Sequence, residues 1–481
     1  MANYSRPDVY VEEISTGEKP IQAVSTSIGA FVGRTPRGES GKAVRVTSWT
    51  DYVNKFALGC KSPYLANSDL SHAVFGFFLN GGSVCKIVRV VSSTATASKV
   101  SLAVDGLEVK AKDLGEWSNG VLGVKVVSNS SNFDIQVYAN GELVETLKNV
   151  SNTKGASNYF VDVINDTSKY IAVDPTTDKT LAVTSDIKKL VGGNDNATSL
   201  TNTDYTGAKG LLALDTELDI NLVAIPGLSA EVEVAKALVD YCDNRGDCFA
   251  IIDCKATTSE EAETFRESLG GNNGAVYFPY GKINDPLGRT SSSLRACPPS
   301  GHIMGIYARI DANRGVYKAP AGEECTVRGF VSLTLNLTKT DLAVLNPLGI
   351  NCIISKPNKG ILVWGARTLS ADTSKIYVSD IRYDIYIKSS VYEGTQWAIF
   401  EPNDESLWEK LDTTLTSFLD TEWKNGALRG STSEEAYYVK CDSELNTDDT
   451  INQGQLIAEI GYAKQKPSEF VIVKIVQKSE S

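Results

Sequence analysis

The stretch Phe470 to Gln477, Phe-Val-Ile-Val-Lys-Ile-Val-Gln, constrains the fold more than any other part of the sequence. It follows a break at Lys466-Pro467, and its nearly continuous apolar run is typical of a strand covered on both faces. Left bare, such a strand is an aggregation site. The strand must therefore either complete a sheet of its own domain or add to the exposed sheet edge of a neighbouring copy.

A second short strand is predicted near the other end of the chain. Residues Val9 to Ile14 read Val-Tyr-Val-Glu-Glu-Ile, with Pro7 before them and Gly17 and Pro20 after them. Proline and glycine bound strands because they interrupt regular backbone pairing. The sequence therefore predicts a strand-like arm close to each end.

Buried strands alternate with helices in two separate parts of the sequence. The predicted strands are Ile28–Gly33, Val84–Val91, Ile220–Ile225 and Cys248–Asp253, and the predicted helices are Leu70–Leu79 and Ala230–Asn244. Alternation of this kind is typical of an α/β layer. The two parts are predicted to belong to one α/β core.

The segment between those two parts has a different composition. From Ser92 to about Gly210, Ser, Thr, Asn and Asp become frequent, and short strands replace helices. Asn140-Gly141 is one of several hairpin dipeptides, and Phe133, Ile135 and Val137 alternate before it. We interpret residues 93–205 as a β-rich domain inserted into the core, with a polar surface that suits an exposed position.

The clearest helix of the sequence runs from about Asp404 to Lys424. Asn403 or Asp404 is placed to cap its start, and Asn425-Gly426 offers a left-handed stop. Its apolar face is formed by Leu407, Trp408, Leu411, Leu415, Phe418, Leu419 and Trp423, and its opposite face by Glu405, Glu409, Asp412, Thr416 and Asp420. This acidic face is either a solvated surface or a match for a basic partner.

Size, cysteine usage and charge limit the possible functions. A chain of 481 residues is expected to form two or three domains. Nine scattered cysteines without a C-x-x-C pair, and only two histidines, argue against a zinc site and favour buried, reduced thiols. A formal net charge of −12 argues against nucleic-acid or anionic-membrane binding, and no apolar run suggests membrane insertion. The predicted partners are proteins.

Motifs for catalysis or nucleotide binding do not emerge from the sequence. Gly41-Lys42 fails as a phosphate loop, because Pro36 stands at the first glycine position and Ala43 at the hydroxyl position. Residues 281–329, rich in Gly and Pro, are predicted to be irregular, either a binding loop around His302 or a packed connection. Asp253 ends a buried strand where α/β sheets often bind ligands, but capping of a turn is the simpler interpretation. No cofactor is predicted.

Blocks spread over nearly the whole chain resemble the contractile tail sheath proteins of bacteriophages and related contractile injection systems. The C-terminal blocks are Trp364–Leu369, Gln396–Asp404, Gly426–Leu428, Val439–Asp442 and Pro467–Val471. The upstream blocks are Pro298–His302, Arg314–Val316, Lys318–Glu323, Leu345–Asn351, Ala30–Gly33 and Val9–Glu13. Each block is short, and the resemblance lies in their shared order. The sequence departs from the family pattern at Asp8 and at Lys356–Lys359.

The resemblance implies a multidomain fold of the α+β or α/β class, with a mixed α/β sheath core, terminal strand arms and an inserted β-rich outer domain. The expected parts are an N-terminal linker arm (1–26), a first core part (27–92), the insertion (93–205), a second core part (206–365), a C-terminal domain facing an inner tube (366–466) and a C-terminal linker strand (467–481). Such subunits form hexameric rings that stack helically around an inner tail tube and contract. The expected location is a virion tail or contractile particle, assembled in the bacterial cytoplasm.

The resemblance also assigns roles to residues and partners. The expected inter-subunit linkers are Val9, Tyr10, Val11, Glu12 and Glu13 at one end, and Phe470, Val471, Ile472, Val473, Lys474, Ile475 and Val476 at the other. Glu405, Glu409, Asp412 and Asp420 are the candidates for contact with the tube. Besides further copies and the tube, baseplate and tail terminator proteins are expected partners. The alternatives are an accessory subunit at a terminal ring or near the baseplate, and an α/β enzyme with a site near His302.

Overall fold

The computed structural model describes residues 20–102, 106–288, 293–470 and 472. The chain divides into two compact units, residues 25–382 and residues 1–24 with 383–481. The finer division into six parts stays a prediction. None of the described helices is long and apolar enough to span a membrane.

The larger unit begins with strands and helices that flank a buried sheet. Its first elements are β1 (Gly29–Gly33), β2 (Ala43–Val46), α1 (Trp49–Phe56), α2 (Leu70–Asn80) and β3 (Cys85–Arg89). They are followed by β4 (Lys99–Ser101), β5 (Glu108–Ala111), β6 (Leu122–Asn129), β7 (Asn132–Ala139), β8 (Glu142–Val150), α3 (Phe160–Thr167), β9 (Ile171–Val173) and β10 (Lys188–Lys189).

The second half of this unit completes the sheet. Its elements are α4 (Asn202–Thr206), β11 (Leu222–Ala224), α5 (Val232–Arg245), β12 (Phe249–Asp253), α6 (Ser259–Glu267), β13 (Gly274–Phe278), β14 (Gly281–Asn284), β15 (Leu294–Cys297), α7 (Ser300–Arg314), β16 (Ser332–Leu333), α8 (Lys339–Leu345), β17 (Ile350–Lys356) and β18 (Gly360–Val363).

The C-terminal elements are α9 (Val378–Thr395), α10 (Glu405–Lys424), α11 (Ser433–Ala436), β19 (Tyr437–Lys440), α12 (Asp448–Asn452) and β20 (Glu459–Tyr462).

Eight strands form the main sheet, in the order β18-β17-β13-β12-β11-β1-β3-β2. The six inner strands pair in parallel, and the two edge strands pair antiparallel to their neighbours. Every residue of β1, β3, β11, β12 and β13 is buried, which explains why these strands are mostly apolar, although β3 also contains the buried Lys86 and Arg89. The four predicted core strands are confirmed as β1, β3, β11 and β12.

Residues 99–189 form smaller antiparallel sheets with a hydrophobic core of their own. The sheet orders are β10-β6-β7-β8 and β4-β5-β9. The hairpin predicted at Asn140-Gly141 joins β7 to β8, and both residues have positive φ, +53° and +89°. Ile135 and Val137 point into the core as the alternation predicts.

Two buried arginines join these smaller sheets to the main sheet. Arg37 donates to Asp113 at 2.7 Å, in an ion pair whose two side chains are 6% and 14% exposed. Arg89, at the end of β3, donates to the carbonyl oxygens of Gly38 at 2.9 Å and Leu114 at 2.8 Å. Charged groups that are removed from water require such partners, so the two parts of this unit are held in a fixed geometry.

The prediction of an irregular segment over residues 281–329 is wrong. This segment contains β14, β15 and the 15-residue helix α7. Nine of the first ten residues of α7 are buried, and all nine are apolar, small or neutral. A helix that is buried around most of its circumference shows no amphipathic stripe. Pro298 and Pro299 precede α7, a position where proline fits a helix start, so they do not mark a loop.

Candidate assembly surfaces

The C-terminal unit carries a two-stranded sheet with two outer edges. β19 and β20 pair antiparallel, from Tyr437 opposite Tyr462 to Lys440 opposite Glu459. Within the described residues no third strand pairs with either of them. An unpaired edge presents backbone N–H and C=O groups that another chain can pair with. Sequence reasoning missed this sheet, because each strand has only four residues and neither is strongly apolar.

Side chains from two helices hold this sheet in place. The Tyr462 hydroxyl and the Lys464 ammonium each donate to Asp384 of α9, both at 2.8 Å. The Tyr437 hydroxyl donates to Asp420 of α10 at 3.4 Å. The sheet is therefore a fixed platform on α9 and α10.

The residues that follow the predicted N-terminal strand lie against α9 of the same unit. The Val24 amide donates to Ser390 Oγ at 3.3 Å. Ile21 packs so closely on Gly394 that a Cβ at this glycine would stand within 3.0 Å of the Ile21 side chain. The predicted linker residues Val9 to Glu13 lie outside the described residues.

The predicted C-terminal strand lies largely outside the described residues as well. Of its members the structure describes Phe470 and Ile472, whose side chains are 71% and 82% exposed. Neither is assigned to a strand. The strand at 470–477 stays a prediction, and the other described residues leave its two described apolar side chains mostly exposed.

The long C-terminal helix α10 is confirmed almost residue for residue. Asp404 Oδ1 accepts a hydrogen bond at 2.9 Å from the Leu407 amide, which caps the helix, and Gly426 has a φ of +79° just after it. Glu422 on its buried side accepts hydrogen bonds from the hydroxyls of Tyr383 at 3.1 Å and Tyr386 at 2.9 Å. These contacts pack α10 against α9.

The four acidic candidates on α10 differ in their surroundings. Glu405 and Glu409 are exposed, whereas Asp412 and Asp420 are half-buried. Asp420 forms an ion pair with Lys424 at 2.6 Å, and burial raises the pKa of Asp412, with nearby Asp442 adding to the effect. The charge available to a partner is therefore concentrated in the first two turns of the helix.

His302 lies inside α7 and has no catalytic surroundings. Its ring packs 4.3 Å from the ring of Phe330, and burial lowers its pKa to about 3, so the imidazole is neutral near pH 7. The Nδ1 atom has no hydrogen-bond partner among the described residues. A general base requires a positioned nucleophile and access to substrate, which this environment does not supply.

Asp253 joins three chain segments at the end of β12. The amide of Gly227 and the hydroxyl of Ser229 donate to Oδ2 at 3.0 and 3.2 Å, and the amide of Ser300 donates to Oδ1 at 2.8 Å. The carboxylate thus accepts hydrogen bonds from the turn after β11 and from the backbone amide of the first residue of α7. This is the capping role that the sequence favoured over a ligand site.

The buried Asp253 predicts a pH dependence of stability. Burial raises its pKa from 3.8 to about 6, although hydrogen bonds from Gly227 and Ser300 lower it in part. Between pH 4 and 6 the folded chain therefore holds a proton that the unfolded chain lacks, so acidification stabilises the fold and a rise through pH 6 removes that gain. From pH 7.5 to pH 5 this group should add on the order of 1 kcal/mol to the free energy of unfolding.

The test of this pH dependence compares the wild type with Asp253→Asn. Urea unfolding of both chains at pH 7.5 and pH 5 gives the change in free energy for each, and subtraction removes the other titrating groups. The variant should lack the gain at pH 5. Equal changes in the two chains would contradict the assignment.

Comparisons with known proteins agree with this fold. Residues 198–369 match the family described as phage tail sheath protein central domain, and residues 370–478 match the phage tail sheath C-terminal domain. The tail sheath protein of Salmonella phage ViI is 25% identical over 346 residues, which cover 67% of this chain and 51% of that protein. The chain thus spans about half the length of that relative.

One further protein sequence and one solved structure match this chain over different shares of its length. A putative prophage major tail sheath protein of Pseudomonas aeruginosa (strain UCBPP-PA14) is 24% identical over 274 residues, 55% of this chain and 67% of that protein. The helical sheath of the anti-feeding prophage in its contracted state matches with a TM-score of 0.61 and 23% identity, over 99% of this chain and 100% of that chain. Because the two family matches together cover residues 198–478, more than half of the sequence, the chain belongs to the contractile tail sheath family.

Proposed function

We propose that the protein is a structural subunit of a contractile tail sheath, which polymerises as stacked hexameric rings around an inner tube and contracts to drive the tube through a target cell envelope. The observation that carries this proposal is the two-edged sheet β19–β20 on a chain with a strand-like arm predicted near one end and an apolar strand predicted near the other. One chain thus supplies both a sheet that can accept strands from other copies and two predicted strands that it can donate to them. The particle is a phage tail or a related contractile particle, assembled in the bacterial cytoplasm.

The predicted arms link neighbouring subunits by strand addition. Val9–Glu13 of one copy and Phe470–Val476 of another add to the outer edges of β19–β20 in a third. Five backbone hydrogen bonds per strand, at about 1 kcal/mol net each, give a link of about 5 kcal/mol. Repeated head-to-tail contacts of this kind build an open helical polymer. The links persist while the larger units move.

Contraction in this proposal uses energy stored in the polymer. The extended lattice is a kinetically trapped state, and the contracted lattice is more stable. No nucleotide or cofactor is required, because the change of packing itself supplies the free energy. A few kcal/mol per subunit suffices, since every subunit contributes.

The acidic side of α10 faces the inner tube in the extended state. Among the four candidates, Glu405 and Glu409 carry the main contact, because they are exposed and Asp420 already pairs with Lys424. Asp412 and Asp420 support it from the half-buried part of the helix. Charge pairs at such a surface are screened by salt and individually weak, so they release when the sheath expands. Baseplate and tail terminator proteins bind the two ends of the polymer.

Negative-stain electron microscopy of the purified full chain tests the proposed function. We expect long hollow tubes whose number rises with protein concentration, because strand links repeat without closure. Discrete rings that never stack would assign the protein to an accessory position at a tail end. A chain that stays monomeric at high concentration in the absence and presence of inner tubes would contradict the proposal.

A further inference from the structure

Two contacts, which we call the arm seat, fasten the chain to α9 just after the predicted N-terminal arm. Ile21 packs on Gly394, where an added Cβ would stand within 3.0 Å of three atoms of the Ile21 side chain. The Val24 amide donates to Ser390 Oγ, one helical turn before Gly394. Any side chain at residue 394 would displace the isoleucine, so the arm seat depends on glycine at this position.

The next fixed point along the chain lies in the larger unit, at Thr26. Its hydroxyl donates to Asp311 at 2.7 Å, and its carbonyl oxygen accepts a hydrogen bond from Arg382 at 2.7 Å. Arg382 and Asp311 form an ion pair whose side chains are only 3% and 5% exposed. Separating a buried ion pair costs several kcal/mol, so Thr26 would still hold the chain if the arm seat were opened.

The C-terminal arm leaves the C-terminal unit through a short connection of its own. Lys464 donates to Asp384 of α9 at 2.8 Å, and the Gln465 side chain donates to the Leu428 carbonyl oxygen at 3.2 Å. Five residue steps separate Gln465 from Phe470, where the predicted strand begins. Residues 465–470 form no helix, and a chain of this length spans at most about 17 Å. Both arms are therefore fastened to the C-terminal unit.

The arm seat limits how far the N-terminal arm can extend. Eight residue steps separate Glu13, the last residue of the predicted linker strand, from Ile21. A fully extended chain spans at most about 3.5 Å per residue, so this connection reaches no more than about 28 Å. If the chain were held only from Thr26, five further residue steps would add about 17 Å. The arm seat thus removes roughly a third of the possible reach.

We propose that the arm seat is the stop that sets the largest spacing between linked copies. It gives the N-terminal arm a short, fixed reach, so the C-terminal units of linked copies stay close together while the larger units move. This inference rests on the proposed sheath function and adds the residues that limit the movement. A short tether also keeps the donated strand at high effective concentration near its acceptor. Gly394 and Ser390 are positioning residues, because they act through Ile21 and Val24.

A shortened arm tests whether the stop limits assembly. Deleting Ile14–Lys19 leaves two residue steps between Glu13 and Ile21, at most about 7 Å, which is less than the diameter of about 10 Å of a helix with its side chains. The donated strand then cannot pass the surface of α9. The protein concentration needed for polymerisation, measured by sedimentation and negative-stain microscopy, should rise at least about 100-fold, with an unchanged thermal midpoint.

Opening the arm seat should rescue the shortened arm. Ile21→Asp replaces the apolar contact with Gly394 by a carboxylate, and Ser390→Ala removes the acceptor of the Val24 amide, so the chain is held only from Thr26. The reach of the shortened arm then returns to about 24 Å. Polymerisation should return to within about tenfold of the wild-type concentration, because effective concentration falls slowly with tether length.

The matched control for this rescue is Gln22→Asp with Ser389→Ala in the same shortened chain. It adds the same charge at an exposed neighbour of Ile21 and removes the hydroxyl next to Ser390, but it leaves the arm seat closed, so it should give no rescue. Hydrogen exchange of the Val24 amide in the unassembled chain reports the opening directly. Exchange should be at least about tenfold faster in the rescue variant and unchanged in the control.

The outcomes separate the stop from the sheath function. Polymerisation of the shortened chain at the wild-type concentration would overturn the inference, as would a rescue variant that fails to polymerise or a control that polymerises equally well. A lowered thermal midpoint of the rescue variant would show that the arm seat belongs to the folded core, which also overturns it. Absence of polymer from the wild type would instead overturn the sheath function.

Discussion

Replacing Gly301 or Gly305 of α7 by alanine is expected to lower the free energy of unfolding by at least about 3 kcal/mol, the upper range for overpacking of a core. A Cβ at Gly301 would stand within 3.0 Å of the Ala73 backbone, and one at Gly305 within 3.0 Å of the Phe77 carbonyl oxygen. Both contacts are with the backbone of α2, which cannot rotate away as a side chain can. The two helices would have to separate.

The direction of the change in the free energy of unfolding identifies its cause. Alanine in a helix is normally favoured over glycine by about 1 kcal/mol, so a large loss can arise only from the helix contact. Urea unfolding of the full chain gives the midpoint for each variant. Gly270→Ala is the control, because no atom lies within 4 Å of its added Cβ and its φ is not positive. Unchanged midpoints in the α7 variants would mean that α2 and α7 are not packed at this distance.

The same contact explains why α7 escaped sequence reasoning while other elements did not. Four of the six inner strands, β1, β3, β11 and β12, were predicted because strands covered on both faces are mostly apolar, whereas β13 and β17 were not predicted. The helix α10 was predictable because Asp404 caps it, Gly426 ends it and one face is polar. In α7 the glycines that usually argue against a helix are required by α2, and burial on most sides removes the stripe. The contacts of α7 with α2 therefore determine its residue pattern, not local helix propensity.

The proposed assembly surfaces also differ in whether the sequence predicted them. The two strand arms stay predictions from the sequence, and the C-terminal one rests on an apolar run that needs a partner. The sheet β19–β20, which we propose as the acceptor, was not predicted, because four-residue strands with mixed side chains have no distinctive period.

Removing residues 467–481 is expected to leave a folded subunit that no longer polymerises. The two described residues of the predicted strand, Phe470 and Ile472, are mostly exposed, so their loss removes little packing from the unit. Loss of a strand link worth about 5 kcal/mol should raise the concentration needed for polymerisation more than about a thousandfold. Circular dichroism melting measures the fold, and sedimentation with negative-stain microscopy measures the polymer.

A shorter truncation makes this experiment specific for the strand. Deleting only residues 478–481, beyond the apolar run, should leave polymerisation intact, because all residues from Phe470 to Gln477 remain. If the longer truncation instead melts at a much lower temperature or aggregates, the strand completes a sheet of its own subunit. The link between copies would then depend on Val9 to Glu13 alone, and each acceptor sheet would receive one strand at a single edge.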